Sequence, residues 1–136
     1  MMPDTSLDSL DPRFRPLAME LLARITEARL AVLIVNTRRT QAEQDAAILR
    51  GVSWVKHSKH QDGLAIDVAP FEIYALHGDD KVQWSTHDPI WLKIGAIGEK
   101  LGLRWGGRFT PLNAIGVGKD PGHFELVIPP SAEVLA

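Results

Sequence analysis

The stretch Ser58-Lys59-His60-Gln61-Asp62-Gly63-Leu64-Ala65-Ile66-Asp67 offers an imidazole, a turn at Asp62-Gly63 and a carboxylate inside an apolar run. A second group stands near the far end, in Asp120-Pro121-Gly122-His123-Phe124-Glu125-Leu126, where His123 opens another apolar run and an acid lies three residues before it. His60, Asp67 and His123 are residue types that bind zinc, and two histidines with one aspartate leave the fourth tetrahedral position open for water. That arrangement belongs to catalytic rather than structural sites, so the pattern predicts a hydrolytic site with one zinc ion per chain. A carboxylate must then take the water's proton: Asp120 is the candidate, with Glu125 as its rival on the same strand face as His123.

Each residue also has a plainer reading. His60 alone would be a surface or turn histidine, and only its spacing to Gly63 and Asp67 turns it toward a metal. His123 could sit satisfied at a strand end, and Asp120 could simply initiate the turn at Pro121-Gly122. Asp67 is harder to explain away, because an acid inside an apolar strand must find a cation or a donor. His57, His77 and His87 lack partners at ligand spacing and read as surface residues. Trp54, Trp84, Trp91 and Trp105 read as core or cleft-wall residues.

Composition narrows the field. The chain has 136 residues and 45% hydrophobic content, enough for one domain with one core. Residues 1–136 are therefore expected to form a single domain, with tails over about 1–11 and 131–136. Lys and Arg number 15 against 17 Asp and Glu, with no dense basic run, so nucleic acid is not an expected partner. Cysteine is absent, which excludes disulfides, thiolate ligands and a cysteine nucleophile. The opening Met1-Met2-Pro3-Asp4-Thr5-Ser6-Leu7-Asp8 carries acids where a signal peptide carries Lys or Arg. The longest apolar run, Leu30 to Val35, falls far short of the roughly 20 residues that span a bilayer. A soluble monomer without membrane insertion is the expectation.

The elements that must position these groups follow from periodicity. Pro12 to Leu30 has Phe14, Leu17, Ala18, Leu21, Ile25 and Ala28 at helical spacing. Ala31 to Val35 reads as a buried strand. Thr40 and Glu43 have capping-box spacing and predict a helix with an apolar stripe of Ala42, Ala46 and Leu49, stopped at Gly51. Leu64, Ile66 and Val68 alternate with Ala65 and Asp67, a strand that turns Asp67 away from its apolar side. Phe71 to Thr86 reads as loop or short hairpin around Gly78-Asp79-Asp80. Asp88 and Pro89 start a third helix running to Leu101. Leu103 to Trp105 and His123 to Ile128 read as strands, the latter with His123 and Glu125 on one side. The sum is an α+β domain, a small antiparallel or mixed sheet flanked by helices. The strands carrying Asp67 and His123 must be neighbours for the site to form.

Taken together, Ser58-x-His60-x-x-Gly63-x-Ala65-x-Asp67 and Asp120-x-x-His123 resemble the zinc peptidases of the D-Ala-D-Ala carboxypeptidase type, which share a fold with lysostaphin-type peptidases and the hedgehog signalling domain. Within that group the chain looks like the small phage endolysins that cut the L-alanyl-D-glutamate bond of peptidoglycan stem peptides. Arg39-Thr40-x-x-Glu43-Gln44, Ser58-Lys59-His60-Gln61 and Trp105-Gly106-Gly107 carry the likeness, which covers roughly Arg39 to Leu126. Two departures stand out: a longer segment between Gly107 and Asp120, and Arg108-Phe109 where the family has an acid and a tryptophan.

The resemblance implies that His60, Asp67 and His123 bind zinc, that Asp120 is the general base and acid, and that Arg39 offsets charge beside the substrate carbonyl or carboxylate. Ser58, Gln44 and Trp105 are the matching candidates for substrate contacts. The implied partner is a peptidoglycan stem peptide. An endolysin made in the host cytoplasm without a signal peptide would reach the periplasmic wall through another lysis protein. A D-alanyl-D-alanine carboxypeptidase or dipeptidase of wall peptides is the alternative. From another class, a catalytically inactive binding module on the same fold would lack turnover altogether.

Overall fold

The computed structural model describes residues 4–50, 58–71, 82 and 84–128. Its frame is a sheet of four strands, β1 (Val32–Asn36), β2 (Ala65–Pro70), β3 (Arg104–Trp105) and β4 (His123–Glu125), in the order β1-β2-β4-β3. Every pairing is antiparallel, which decides between the two sheet types expected. Alternation sorts the side chains by face. Ile66, Val68, Phe124 and Trp105 enter the core at 2% exposure or less. Asp67 and His123 take the opposite face. They are direct cross-strand partners, so the neighbouring strands required by the chemistry are present.

Among the described residues three α-helices complete the α+β architecture: α1 (Arg15–Glu27), α2 (Gln41–Leu49) and α3 (Ile90–Lys100). Helix α1 buries Ala18, Leu21 and Ile25 at the predicted spacing. Full burial of a side chain such as Leu21 stabilises by about 1.5–3 kcal/mol. Helix α3 starts one residue later than expected, with Pro89 at its cap position, and the carboxylate of the preceding Asp88 accepts from Ile90 N at 2.9 Å. Glycine in a helix costs about 1 kcal/mol relative to alanine, yet α3 holds Gly95 and Gly98 on its inner face, where a Cβ would run into the rings of Trp105 and Phe124. Those two positions let the helix lie directly on the aromatic layer of β3 and β4.

Helix α2 begins as predicted, with Thr40 Oγ1 accepting from Glu43 N and Glu43 Oε1 accepting from Thr40 N, both at 3.1 Å. Its inner face differs from the expected stripe. Leu49 is 88% exposed, and Gln44 and Ala47 are the residues buried. A polar residue turns inward because its amide oxygen is needed by Arg39. The expected stop at Gly51 lies outside the described residues, as do Gly78-Asp79-Asp80, His57, His77 and Trp54.

The opening segment is a second correction. Residues 4–11, expected within a tail, are packed: Leu7–Ser9 forms a single 3-10 turn and Leu10 is 2% exposed in the core beside Phe14. Leu7, Leu10 and Phe14 repeat at spacings of one and two turns, a pattern too short to register as a helix. Strand β4 is also shorter than its alternating pattern, ending at Glu125 rather than Ile128. The C-terminal tail expected over 131–136 lies outside the described residues. Among the described residues no helix is long and apolar enough to cross a membrane.

Candidate metal and catalytic site

Strand β2 puts Asp67 at the end of the sheet where the chain leaves the turn of residues 58–63, and that turn carries His60. One ligand atom from each of His60, Asp67 and His123 lies within 4.8 Å of the others, so the three could hold one metal ion. His60 Nε2 stands 3.1 Å from Asp67 Oδ2, and His123 Nδ1 stands 3.0 Å from Asp67 Oδ1.

The far nitrogens decide what these short distances mean. His60 Nδ1 is 2.7 Å from the Thr37 carbonyl oxygen, which can only accept, so the ring proton sits on Nδ1. Nε2 is then a bare lone pair, buried and without a hydrogen-bond partner, facing a carboxylate oxygen. His123 repeats the logic in mirror image. Its Nε2 lies 2.8 Å from Glu125 Oε1 and donates to it, leaving Nδ1 aimed at Asp67. Two ring nitrogens and two carboxylate oxygens therefore converge on one point, a donor set that a bound cation satisfies and that, without one, a protonated His123 meets by donating from Nδ1 to Asp67. A histidine whose other nitrogen donates to a carbonyl or carboxylate is the usual form of a metal ligand.

Electrostatics agree. Burial works against the charge on Asp67, but His60 and His123 outweigh it and hold the carboxyl well below the usual range. Burial also disfavours a charged His123, yet the carboxylates of Asp67 and Glu125 push it up to about 10, which marks the spot as one that favours positive charge. Asp120 goes the other way. Burial, then the negative charge of Asp67, raises it to about 6. Its Oδ2 is 3.8 Å from His123 Nδ1, close to the reacting point but outside the ligand cluster. Of the two rival bases, Asp120 is the free one; Glu125 is 5% exposed and committed to His123.

Asp67 and Asp120 border a cleft of about 210 Å³, with Val35, Trp84, Thr86 and Trp91 among its walls. The long segment before Asp120 helps build it. Asn113 Nδ2 donates to the Thr86 carbonyl at 2.8 Å, fixing the wall residue Thr86 from below. Phe109, where an aromatic of another kind was expected, packs 5.9 Å from the His123 ring. Arg104 stacks over Phe109 at 4.8 Å and reaches Glu125 at 3.9 Å, a contact the sequence did not suggest because Arg104 sits alone on a two-residue strand.

Arg39 is half-buried and donates through Nη1 to Gln44 Oε1 at 2.6 Å. Its side chain borders a separate groove, lined also by Arg38 and Gln61, and its charge is felt by Asp120. The other expected substrate contacts lie inside the protein. Gln44 is fully buried against Arg39, Trp105 is 1% exposed with its Nε1 donating to the Pro121 carbonyl at 2.7 Å, and the Ser58 hydroxyl accepts from His60 N at 3.2 Å. All three hold the site together from behind, and none offers its side chain to the cleft. Trp105 and Ser58 were read as contacts because residue type and motif position do not report burial.

A family model described as D-alanyl-D-alanine carboxypeptidase matches residues 52–126, more than half of the chain and both ligand-bearing segments. The chain belongs to this family. No curated protein matches it in sequence. Among solved structures, the Serratia marcescens L-Ala D-Glu endopeptidase ChiX is similar with a TM-score of 0.64 at 20% identity, over 93% of this chain and 90% of that one. VanYB in complex with D-alanine-D-alanine is similar with a TM-score of 0.56 at 18% identity, over 93% of this chain and 76% of that one. A VanY D,D-pentapeptidase solved in complex with Zn(II) gives 0.55 at 18% identity, over 93% and 77%. The fold of the D-alanyl-D-alanine carboxypeptidase family is thus the fold of this chain, and the α+β reading stands.

Proposed function

We propose that the protein is a zinc-dependent peptidase that hydrolyses the L-alanyl-D-glutamate bond of peptidoglycan stem peptides, acting as an endolysin. The observation that carries the zinc assignment is the pair of histidines whose outer nitrogens are engaged by the Thr37 carbonyl and Glu125, so that their inner nitrogens face the two oxygens of Asp67. The donor set of two histidines and one aspartate suits zinc. When bound there, zinc supplies Lewis acidity, bringing the pKa of a water toward about 7 and polarising a carbonyl.

The chain's own residues supply the remainder. Asp120, held near 6, is ionised at neutral pH and basic enough to take a proton from the attacking water and return it to the leaving amine. Arg39, fixed by Gln44, places positive charge near the carboxylate or developing oxyanion of the substrate. Trp84 and Trp91 give the cleft apolar walls that position a peptide and thin the water around it.

The endopeptidase reading is supported by Ser58-Lys59-His60-Gln61 and Trp105-Gly106-Gly107, which resemble the phage enzymes. It is supported too by the fit of this chain over 90% of an L-Ala D-Glu endopeptidase. In this proposal the enzyme is made in the host cytoplasm, works as a monomer, and meets the wall after another lysis protein opens the membrane. The family description favours one second reading, release of D-alanine from stem peptides. Digestion of purified sacculi followed by mass analysis separates them. New L-alanine C-termini establish the endopeptidase, released D-alanine establishes the carboxypeptidase, and no product with or without zinc leaves only a binding module.

A further inference from the structure

We infer that the segment from Asp4 to Asp11 is a positioning element for His60: it fixes the backbone that dictates which nitrogen of that ring carries the proton. The inference rests on the reading of His60 as a zinc ligand. His60 Nδ1 donates to the carbonyl of Thr37, a residue with no side-chain role in catalysis and no exposure to solvent. Thr37 is tied to Asp4 through its N–H and its hydroxyl, whose one proton is shared between two Asp4 oxygens. Its N–H donates to the Asp4 carbonyl at 2.7 Å, and its hydroxyl lies 3.0 Å from that carbonyl and 3.1 Å from Asp4 Oδ1. Asp4 is itself set by Ser6 N, which donates to Oδ1 at 2.8 Å. The acceptor for His60 is therefore held in place by residues that precede the first helix.

The same segment grips the other side of the His60 turn. Asp11 N donates to the Gly63 carbonyl at 2.9 Å. Gly63 has φ of 72°, and a Cβ there would lie 2.7 Å from Asp11 N and 3.3 Å from the Ser9 carbonyl, so the two backbones touch with no room for a side chain. Leu10, 2% exposed, anchors the segment in the core between these two grips. The segment thus holds two things at once, the Thr37 carbonyl that receives the His60 ring proton and, at Gly63, the end of the turn that carries His60. Without the Thr37 carbonyl fixed, Nδ1 and Nε2 would compete for the proton, and each time Nε2 held it the lone pair facing Asp67 would be lost.

The test uses the full chain with Asp4→Ala, Thr37→Val, Asp4→Asn and Leu21→Ala. Zinc affinity is read by competition with a chromophoric chelator, and the His60 tautomer by nitrogen NMR on chelator-treated protein. Asp4→Ala and Thr37→Val are expected to weaken zinc by about 10-fold, the low end for groups that orient a ligand, and to give His60 a mixture of tautomers. Asp4→Asn keeps the Oδ1 acceptor and restores wild-type behaviour in both readouts. Leu21→Ala, which loses core packing far from the turn, lowers the melting temperature and leaves zinc affinity and tautomer unchanged. A purely Nδ1-protonated His60 in both Asp4→Ala and Thr37→Val, or an unchanged zinc constant in both, overturns the inference, as does equal weakening in Leu21→Ala. A wild-type chain that binds no zinc overturns the metal reading instead, and the tautomer measurement then judges the positioning role alone.

Discussion

Three acidic residues sit within reach of one another, and their surroundings give them different work. Asp67 is held ionised between two histidines, Glu125 is spent on orienting His123, and Asp120 keeps a raised pKa beside the cleft. Replacing each should separate these roles. Asp120→Ala is expected to keep zinc and lose about 10²- to 10⁴-fold in kcat, the range for a general base; turnover near the wild-type rate would remove Asp120 from the mechanism. Glu125→Gln should weaken zinc by about 10- to 100-fold while the fully loaded enzyme keeps most of its kcat, and His60→Ala should lose both zinc and activity. Stability gives an independent check on Asp120. An acid whose folded pKa is raised destabilises the fold above its unfolded pKa and not below it. The shift from 3.8 to about 6 would correspond to about 3 kcal/mol in a dry site, but the side chain is 42% exposed, and solvent screening reduces this to roughly 1 kcal/mol. Asp120→Asn should therefore stabilise the metal-free protein by about 1 kcal/mol at pH 7 and by almost nothing at pH 4, as read by urea unfolding. The cluster of His60, Asp67 and His123 is legible in the sequence because donor chemistry is a property of side chains. Thr37 is not, because what it contributes is a backbone carbonyl, and every residue has one.

At the scale of elements, the site is a consequence of register. Asp67 and His123 face each other across β2 and β4, and a slip by one residue would send one of them into the core. What locks that register is the opposite face, where Phe124 pairs with Ile66 and lies against Gly98 of α3. Phe124→Ala should cost about 3–5 kcal/mol in denaturant unfolding and lower zinc affinity as well, since the strand that presents His123 loses its anchor. The alternation in residues 64–68 and 123–126 made both strands readable, and the capping box made the start of α2 readable to the residue. The ends were less so. Leu126 and Ile128 continue the alternation of β4 past its end at Glu125, with Leu126 N still donating to the Leu64 carbonyl at 2.9 Å, and nothing in the alternation itself marks where the pairing stops. The packing of residues 4–11 escaped notice for a related reason: one turn of 3-10 helix is too brief to show a period, and its importance lies in contacts with residues more than thirty positions away.

For the molecule as a whole, metal, fold and activity are expected to move together. An ion held by His60, Asp67 and His123 joins two strands and a turn, so removing it by chelation should lower the melting temperature, and zinc should restore it. Activity should fall on the acid side of neutrality as Asp120 takes up a proton, with kcat/KM rising with pH through about 6. The antiparallel pairing of β2 with β4 also sets an order of events. His60 and Asp67 leave the ribosome more than fifty residues before His123, and the strand that delivers His123 cannot pair until it has been made. A nascent chain thus carries two of the three candidate ligands before the third exists, and the site can close only once β4 has emerged to pair with β2.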